Sequence, residues 1–282
     1  MKILIITNLE NECSEEDIWI ADSFQKDGNI VKLVNKYYNP EEEEHFDIFI
    51  KRYSWVEDPT TFAVGAEESD YETRILKKQL PRINFDGKFD NRGKTYLAEM
   101  YDNGLPVVPT ICTCLDINKL PNAEKYLIKP INGYDGFGII ETTKDKIPTL
   151  WNKSYVIQPK LIFDAEVQFY FIGSKYQFAQ IFYPKKINSH INAQRYFPTQ
   201  EEIMLASRFA QLNGNNFNGV QRIDFLKQKN KLLLSELEDD SPYMAIGSLS
   251  PNERNVFINN FKKMTYKYYK EYRHLHDNEI QK

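Results

Sequence analysis

Residues 219–242 read GVQRIDFLKQKNKLLLSELEDDSP. Two apolar stretches flank the polar run KQKN, which is the pattern of a β-hairpin with strands over 219–226 and 231–238. Side chains alternate along a strand, so Arg222 and Asp224 share one face while Ile223 and Phe225 take the other. Glu236 and Glu238 share a face of the second strand in the same way. With the turn centred near residue 229, Arg222 stands opposite Glu236, and three carboxylates gather with one guanidinium on one surface. Carboxylate oxygens are the ligands Mg prefers, held by one or two acidic side chains together with nucleotide phosphates. A solvated hairpin face with a surface salt bridge carries the same residues, so the hairpin alone leaves both readings open.

Two segments upstream bear on that choice. Lys129 ends an apolar run and is followed by INGYDGFG at 131–138. Gly133, Gly136 and Gly138 allow backbone to approach a ligand and aim N–H groups at phosphate oxygens, although a glycine-rich hairpin turn has the same composition. The flanking segments read as strands, which excludes a Walker loop and a Rossmann fingerprint. In a protein kinase the lysine follows the glycine loop, whereas Lys129 precedes it, and no HRD or DFG element follows. Next comes VIQPKLIFDAEVQFYFIG at 156–173, a buried strand, a break marked by Pro159 and a second strand near Glu166. Such a break offers free backbone groups to a ligand edge, or is a kinked edge strand.

Toward the N-terminus the pattern changes. KILIIT reads as a strand buried on both faces, followed by a helix over 15–26, strands over 30–34 and 46–50, and a solvated acidic turn at 41–44. This is an α/β unit covering residues 1–85. A helix over 91–103 ended by Gly104 opens the second region, 86–282. That region divides near 122–160 and 161–282 and is antiparallel in character. A helix over 201–212 precedes the hairpin, and Ser250, Pro251 and Glu253 form a capping box that opens a long Tyr- and Lys-rich helix.

Composition narrows the function classes. The 282 residues carry a formal charge of −4, which lacks the basic excess of a dedicated nucleic-acid binder. The tyrosines of the last helix suit packing better than base stacking. Cys13, Cys112 and Cys114 fit neither a disulfide framework nor a four-ligand zinc site, and a reducing cytoplasm is the expected setting. No apolar run approaches the length of a membrane span, and the first residues do not read as a signal peptide. His45, His190, His274 and His276 form no nucleophilic triad.

Taken in order, these elements resemble the ATP-grasp superfamily, especially its glutathione-synthetase-like branch, and FDIFIKRYSW at 46–55 looks like the cyclo-ligases of cycloserine biosynthesis. The resemblance implies an N-terminal Rossmann-like α/β unit plus two α+β subdomains clasping ATP. It implies that Lys129, and Lys94 in NRGKTYLAEM, bind the nucleotide phosphates, that Gly133, Gly136 and Gly138 cover them, and that Gln158, Pro159, Lys160 and Leu161 hold adenine. Glu166 is implied for ribose, Asp224, Glu236 and Glu238 for two Mg ions, and Arg222 for the transferring phosphoryl group. The implied activity is ADP-forming ligation of a small-molecule or peptide carboxylate to an amine or similar nucleophile through an acyl phosphate. A kinase or a catalytically silent ATP-binding regulator are the alternatives, and a homodimer is compatible with the family. The chain departs from the family's pattern at Gln168, where an arginine is common, and at HINAQRYFP. Arg195, Lys185 or Lys186 is the candidate for the missing charge. Arg52, at the end of the third strand, is the candidate for a substrate carboxylate, or packs with Trp55 against the central region.

Overall fold

The computed structural model describes residues 1–7, 14–35, 45–52, 80–85, 87–90, 93–133, 136–184 and 193–280. Trp55, Tyr134, Asp135, Lys185, Lys186, His190 and the acidic run at 41–44 lie outside them.

The first unit is a parallel sheet. Strands β1 (Lys2–Thr7), β2 (Ile30–Asn35), β3 (Ile48–Arg52) and β4 (Arg82–Ile83) run in the order β2-β1-β3-β4, with helix α1 (Ser14–Lys26) crossing between the first two. A central strand of such a sheet is covered on both faces and must be apolar throughout. β1 meets this with Ile3, Leu4, Ile5 and Ile6, all buried. Gly28 ends the turn after α1 at φ +81°, a left-handed conformation open to glycine without strain.

Helix α2 (Thr95–Asp102) follows. It starts four residues later than the sequence pattern suggests, because Gly93 stands at φ +61° in a turn. A Cβ there would meet Asn132 Oδ1 and Ile131 Cγ2 at 2.4 Å, so only glycine permits this approach. Strands β5 (Tyr126–Pro130), β6 (Ile140–Thr142) and, after the short helix α3 (Ile147–Leu150), β7 (Tyr155–Pro159) form a small antiparallel sheet ordered β6-β5-β7. Its core is Ile111, Leu120, Tyr126, Ile147 and Ile157.

The central sheet is also antiparallel. It comprises β8 (Ala165–Ile172), β9 (Lys175–Phe182), β10 (Gln194–Tyr196), β11 (Val220–Gln228) and β12 (Lys231–Glu238), ordered β10-β9-β8-β11-β12. Helix α4 (Gln200–Ala210) and α2 cover one face, packing around Phe169, Phe171, Phe209 and Phe225. The opposite face, through Tyr170, Ile172, Phe178 and Val220, shares a core with the parallel unit and helix α5 (Pro251–Ile280). Tyr170 and Phe178, paired across β8 and β9, stack at 4.4 Å. The tyrosines of α5 serve the same junction. Tyr266 packs edge-on against Phe24 and donates to Asp27, and Tyr269 donates to Asp47.

The hairpin at 219–242 forms, but its register differs from the expected one. Arg222 pairs with Glu238 and Asp224 with Glu236, and the register shifts by one between Asp224 and Phe225. The cause lies in the order of side chains along β12. Strict alternation would put Leu232 and Leu234 on the same face as Glu236 and Glu238, burying the carboxylates in the core. The bulge at Ser235, whose hydroxyl donates to Asp224 O at 3.0 Å, takes up one residue. Leu232, Leu234 and Leu237 then all reach the core, and both glutamates face the other way.

A buried ionic group joins the parallel unit to the chain after β12. Arg52 is 3% exposed. Its Nε donates to Asp17 Oδ1 at 2.8 Å, its NH1 to Pro242 O at 2.9 Å, and Glu16 lies 3.8 Å from its NH2. Glu16 in turn accepts the N–H groups of Met244 and Ile246 at 3.0 and 2.7 Å. Removing one member of such a group strands the others without compensation. Arg52→Met is therefore expected to lower unfolding stability by about 3–5 kcal/mol, read as a lower urea midpoint at constant m; a midpoint within error of wild type would show that Arg52 is not the compensating charge.

Candidate active site

The small sheet and the central sheet enclose a cleft of about 650 Å³. One wall is β5 and β7, the other is the cleft face of β8, β11 and β12, and Gly133, Gly136, Phe137 and Ile139 line the rim. Pro159 ends β7, and beyond it the Lys160 N–H donates to Lys125 O at 2.8 Å. Among the described residues no hydrogen bond takes the Leu161 N–H, and Leu161 lines the cleft. The Gln158 side chain is spent elsewhere, donating to Thr110 Oγ1 at 2.9 Å, and Lys160 pairs with Glu141 on the outer side. Both side chains therefore already have partners within the chain.

Three carboxylates converge on the floor. Asp224, Glu236 and Glu238 each present an oxygen within 4.8 Å of the others. Oxygen-only donors at that spacing suit a hard divalent cation. Two cations of the chain now balance them. Arg222 grips Asp224 through Nε at 2.9 Å and NH2 at 2.9 Å and also pairs with Glu238. Lys94 Nζ lies 2.6 Å from Glu236 Oε1 and 2.6 Å from Gly133 O, linking the acidic floor to the glycine loop. Lys129 also lines the cleft, and its ammonium makes no hydrogen bond among the described residues. Burial pushes its ammonium below the usual lysine value, Lys94 adds to this, and Glu236 and Glu166 partly offset it.

Glu166 and Gln168 complete the floor from β8. The Gln168 amide N–H₂ reaches Glu166 Oε1 and Asp224 Oδ2, both at 3.3 Å, while Tyr170 OH donates to Gln168 Oε1 at 2.8 Å. The tyrosine thus fixes which way the amide points. The glycine loop is held by close packing, for a Cβ on Gly133 or Gly138 would touch the Pro130 ring at 3.0 and 2.9 Å. Gly138 also stands at φ +71°.

No protein-family model and no curated protein sequence matches the chain. Solved structures do. The D-cycloserine synthetase DcsG superposes with a TM-score of 0.68 at 14% identity, covering 93% of this chain and 100% of its own. PsnB, an ATP-grasp ligase complexed with a phosphomimetic variant of a minimal precursor, Mg and ADP, gives 0.65 at 14%, covering 93% and 98%. The D-alanine–D-alanine ligase of Bacillus anthracis gives 0.62 at 13%, covering 98% and 99%. The chain has the ATP-grasp fold.

Two of the arginines singled out in sequence stand outside the ATP-grasp cleft. Arg52 is taken up by Asp17, Glu16 and Pro242 and does not line the cleft, so contact with a substrate carboxylate would require it to leave these partners. Arg195 donates to Ala179 O at 2.8 Å and Tyr196 O at 3.0 Å and pairs with Glu253 at 2.9 Å. It does not line the cleft, so the charge expected of it there would have to come from a rearranged β10. Other residues escaped the sequence reading. Gly93 brings Lys94 against the loop, and Asp90 and Asp239 exchange hydrogen bonds beneath it. Nothing but the acidic run EDD signalled the last.

Burial, opposed by Arg222 and reinforced by Glu166 and Glu236, raises Asp224 to about 7. Burial, opposed by Arg52 and the N–H groups of Met244 and Ile246, raises Glu16 to about 7 as well. Both folded values exceed the unfolded ones, so their contribution to stability is full below the ordinary carboxylate range and is lost as pH rises through 7. The protein without metal or nucleotide is therefore expected to melt higher at pH 6 than at pH 8. A melting temperature that is level or rises with pH over that interval would contradict these ionisations.

Proposed function

We propose that the protein is an ATP-dependent, ADP-forming ligase that joins a carboxylate to an amine or similar nucleophile. One observation carries this: Asp224, Glu236 and Glu238 converge with Lys94, Lys129 and Arg222 in a single cleft under a glycine-rich rim. The fold supports it, since the structures it resembles at this level are ATP-grasp ligases.

In this proposal the chain consists of the parallel unit, 1–85, and an ATP-binding region, 86–282, whose small subdomain at about 122–160 covers the nucleotide while the remainder supplies the floor. Adenine lies against the hinge, with the Leu161 N–H as donor and backbone carbonyls of the hinge as acceptors, and Glu166 takes the ribose hydroxyls. Lys129 and Lys94 meet the phosphates, and the N–H groups of the loop at Gly133, Gly136 and Gly138 cover them. Asp224, Glu236 and Glu238 hold Mg, two ions in the fully loaded site, which neutralises the triphosphate charge.

The chemistry is mostly positional. An oxygen of the substrate carboxylate attacks the γ-phosphorus, the bond to the β-γ bridging oxygen breaks, and ADP leaves with that electron pair. Arg222, at the junction of β11 and β12, stands ready to stabilise the charge on the transferring phosphoryl group. The nucleophile then attacks the acyl carbon, loses its proton, and inorganic phosphate departs. The carboxylate is a small molecule or a peptide; PsnB complexed with precursor peptide PsnA2 and AMPPNP supports the peptide class. No described helix is long and apolar enough to cross a membrane. Cytoplasm is the setting we propose.

Nucleotide binding is tested by melting with millimolar MgATP. A hundredfold excess over Kd stabilises by about 2.7 kcal/mol, and Lys129→Ala should remove most of that shift. Turnover is tested by ADP release across a panel of carboxylates and amines. Release that requires both co-substrates supports a ligase, whereas release with one hydroxyl substrate would make it a kinase. Glu236→Gln should reduce release at least about 100-fold; a normal rate in that variant would overturn the metal assignment.

A further inference from the structure

One motif of the hairpin is not used by the chemistry above. Directly after Glu238 come Asp239 and Asp240, and Asp239 is 1% exposed. Its two oxygens accept three backbone N–H groups from a single stretch of chain. Oδ2 takes Lys88 at 2.7 Å and Phe89 at 2.9 Å, and Oδ1 takes Asp90 at 3.0 Å. The exchange is mutual. Asp90 Oδ2 accepts the Asp239 N–H at 2.7 Å and the Asp240 N–H at 2.9 Å. Gly87 is part of the fit, since a Cβ there would lie 2.6 Å from Asp239 Oδ1.

The two segments joined this way carry the two sides of the acidic floor. Glu238 precedes Asp239, and Lys94 follows Asp90 by four residues across the Gly93 turn. Lys94 in turn bonds Glu236 and Gly133 O, so the clamp sets where its ammonium stands relative to the carboxylates and the glycine loop. On the other side Asp240 pairs with Lys51 of β3 at 2.9 Å, tying the junction to the parallel unit. Without the clamp these buried N–H groups would lack partners, and a metal site tolerates displacement of only about 0.5 Å.

We propose that Asp90 and Asp239 form a positioning pair that fixes the metal carboxylates against Lys94, and that their role is to create the metal-dependent part of nucleotide affinity. This rests on the ATP-binding reading of the cleft. The geometry makes the pair asymmetric. Asp90 uses one oxygen for both of its hydrogen bonds, so an asparagine carbonyl can replace it. Asp239 uses both oxygens, and an asparagine there must turn an amide N–H₂ toward an N–H donor, losing at least one bond.

The test is calorimetric titration of ADP, with and without Mg, into wild type, Asp90→Asn, Asp90→Ala and Asp239→Asn, with the melting temperature of each recorded. Wild type should bind ADP more tightly with Mg than without. Asp90→Asn should keep that ratio within about twofold, while Asp90→Ala and Asp239→Asn should lose about tenfold of it, equivalent to about 1.4 kcal/mol. If Asp239→Asn does not fold, the contrast between the two Asp90 variants decides the matter alone. Variants that melt lower yet keep the wild-type ratio would reduce the pair to a structural tie and overturn the proposal. Loss of the ratio in Asp90→Asn equal to that in Asp90→Ala would overturn it too, by showing that charge rather than hydrogen-bond geometry matters. Failure of wild type itself to bind ADP would instead refute the ATP-binding reading.

Discussion

The structure depends on keeping three carboxylates together on one sheet face without burying them in the core. Like charges at this spacing repel, and burial adds a desolvation cost that only cations or protons can offset. The chain meets the constraint in two ways. The bulge at Ser235 rotates Glu236 and Glu238 away from the leucines of β12, and Arg222 and Lys94 supply countercharge to the floor. Glu236 and Glu238 answer differently to the same surroundings. Burial raises both, but Lys94 and Arg222 hold Glu236 below its ordinary range, whereas Asp224, Glu236 and Asp90 drive Glu238 well above it despite Arg222. A floor that already shares protons and cations is one that a divalent ion can take over with little rearrangement of backbone.

Lys94 connects this electrostatic problem to the shape of the cleft. By bonding Glu236 and Gly133 O at once, it couples the acidic floor to the rim that would cover a triphosphate. Under the proposed function an ion at Glu236 would compete with Lys94 for the same oxygen, which would couple metal occupancy to the glycine loop through the Lys94 ammonium.

Much of this was legible in sequence. The apolar run of β1, the Lys129 strand with its glycine loop, the Pro159 break and the hairpin at 219–242 each declared their type through local pattern, and their order pointed to the fold. What local pattern could not show was anything set by a single residue of register or by a distant partner. The turn of the hairpin was placed correctly to within one residue, yet the pairing of Arg222 came out wrong, because Ser235 gives no composition signal that it is a bulge. The helix over 91–103 was overextended because Gly93 answers to Ile131 and Asn132, remote in sequence. Arg52 and Arg195 looked available because their acidic partners, Asp17, Glu16 and Glu253, lie on other elements.

The most direct measurement is diffraction from crystals grown with Mn²⁺ and a non-hydrolysable ATP analogue, with data collected at the manganese edge. The expected result is anomalous density among the oxygens of Asp224, Glu236 and Glu238, with adenine against the Leu161 N–H and the triphosphate beneath residues 133–138. A nucleotide bound elsewhere, or one in this cleft with no ion at those three carboxylates, would contradict the account.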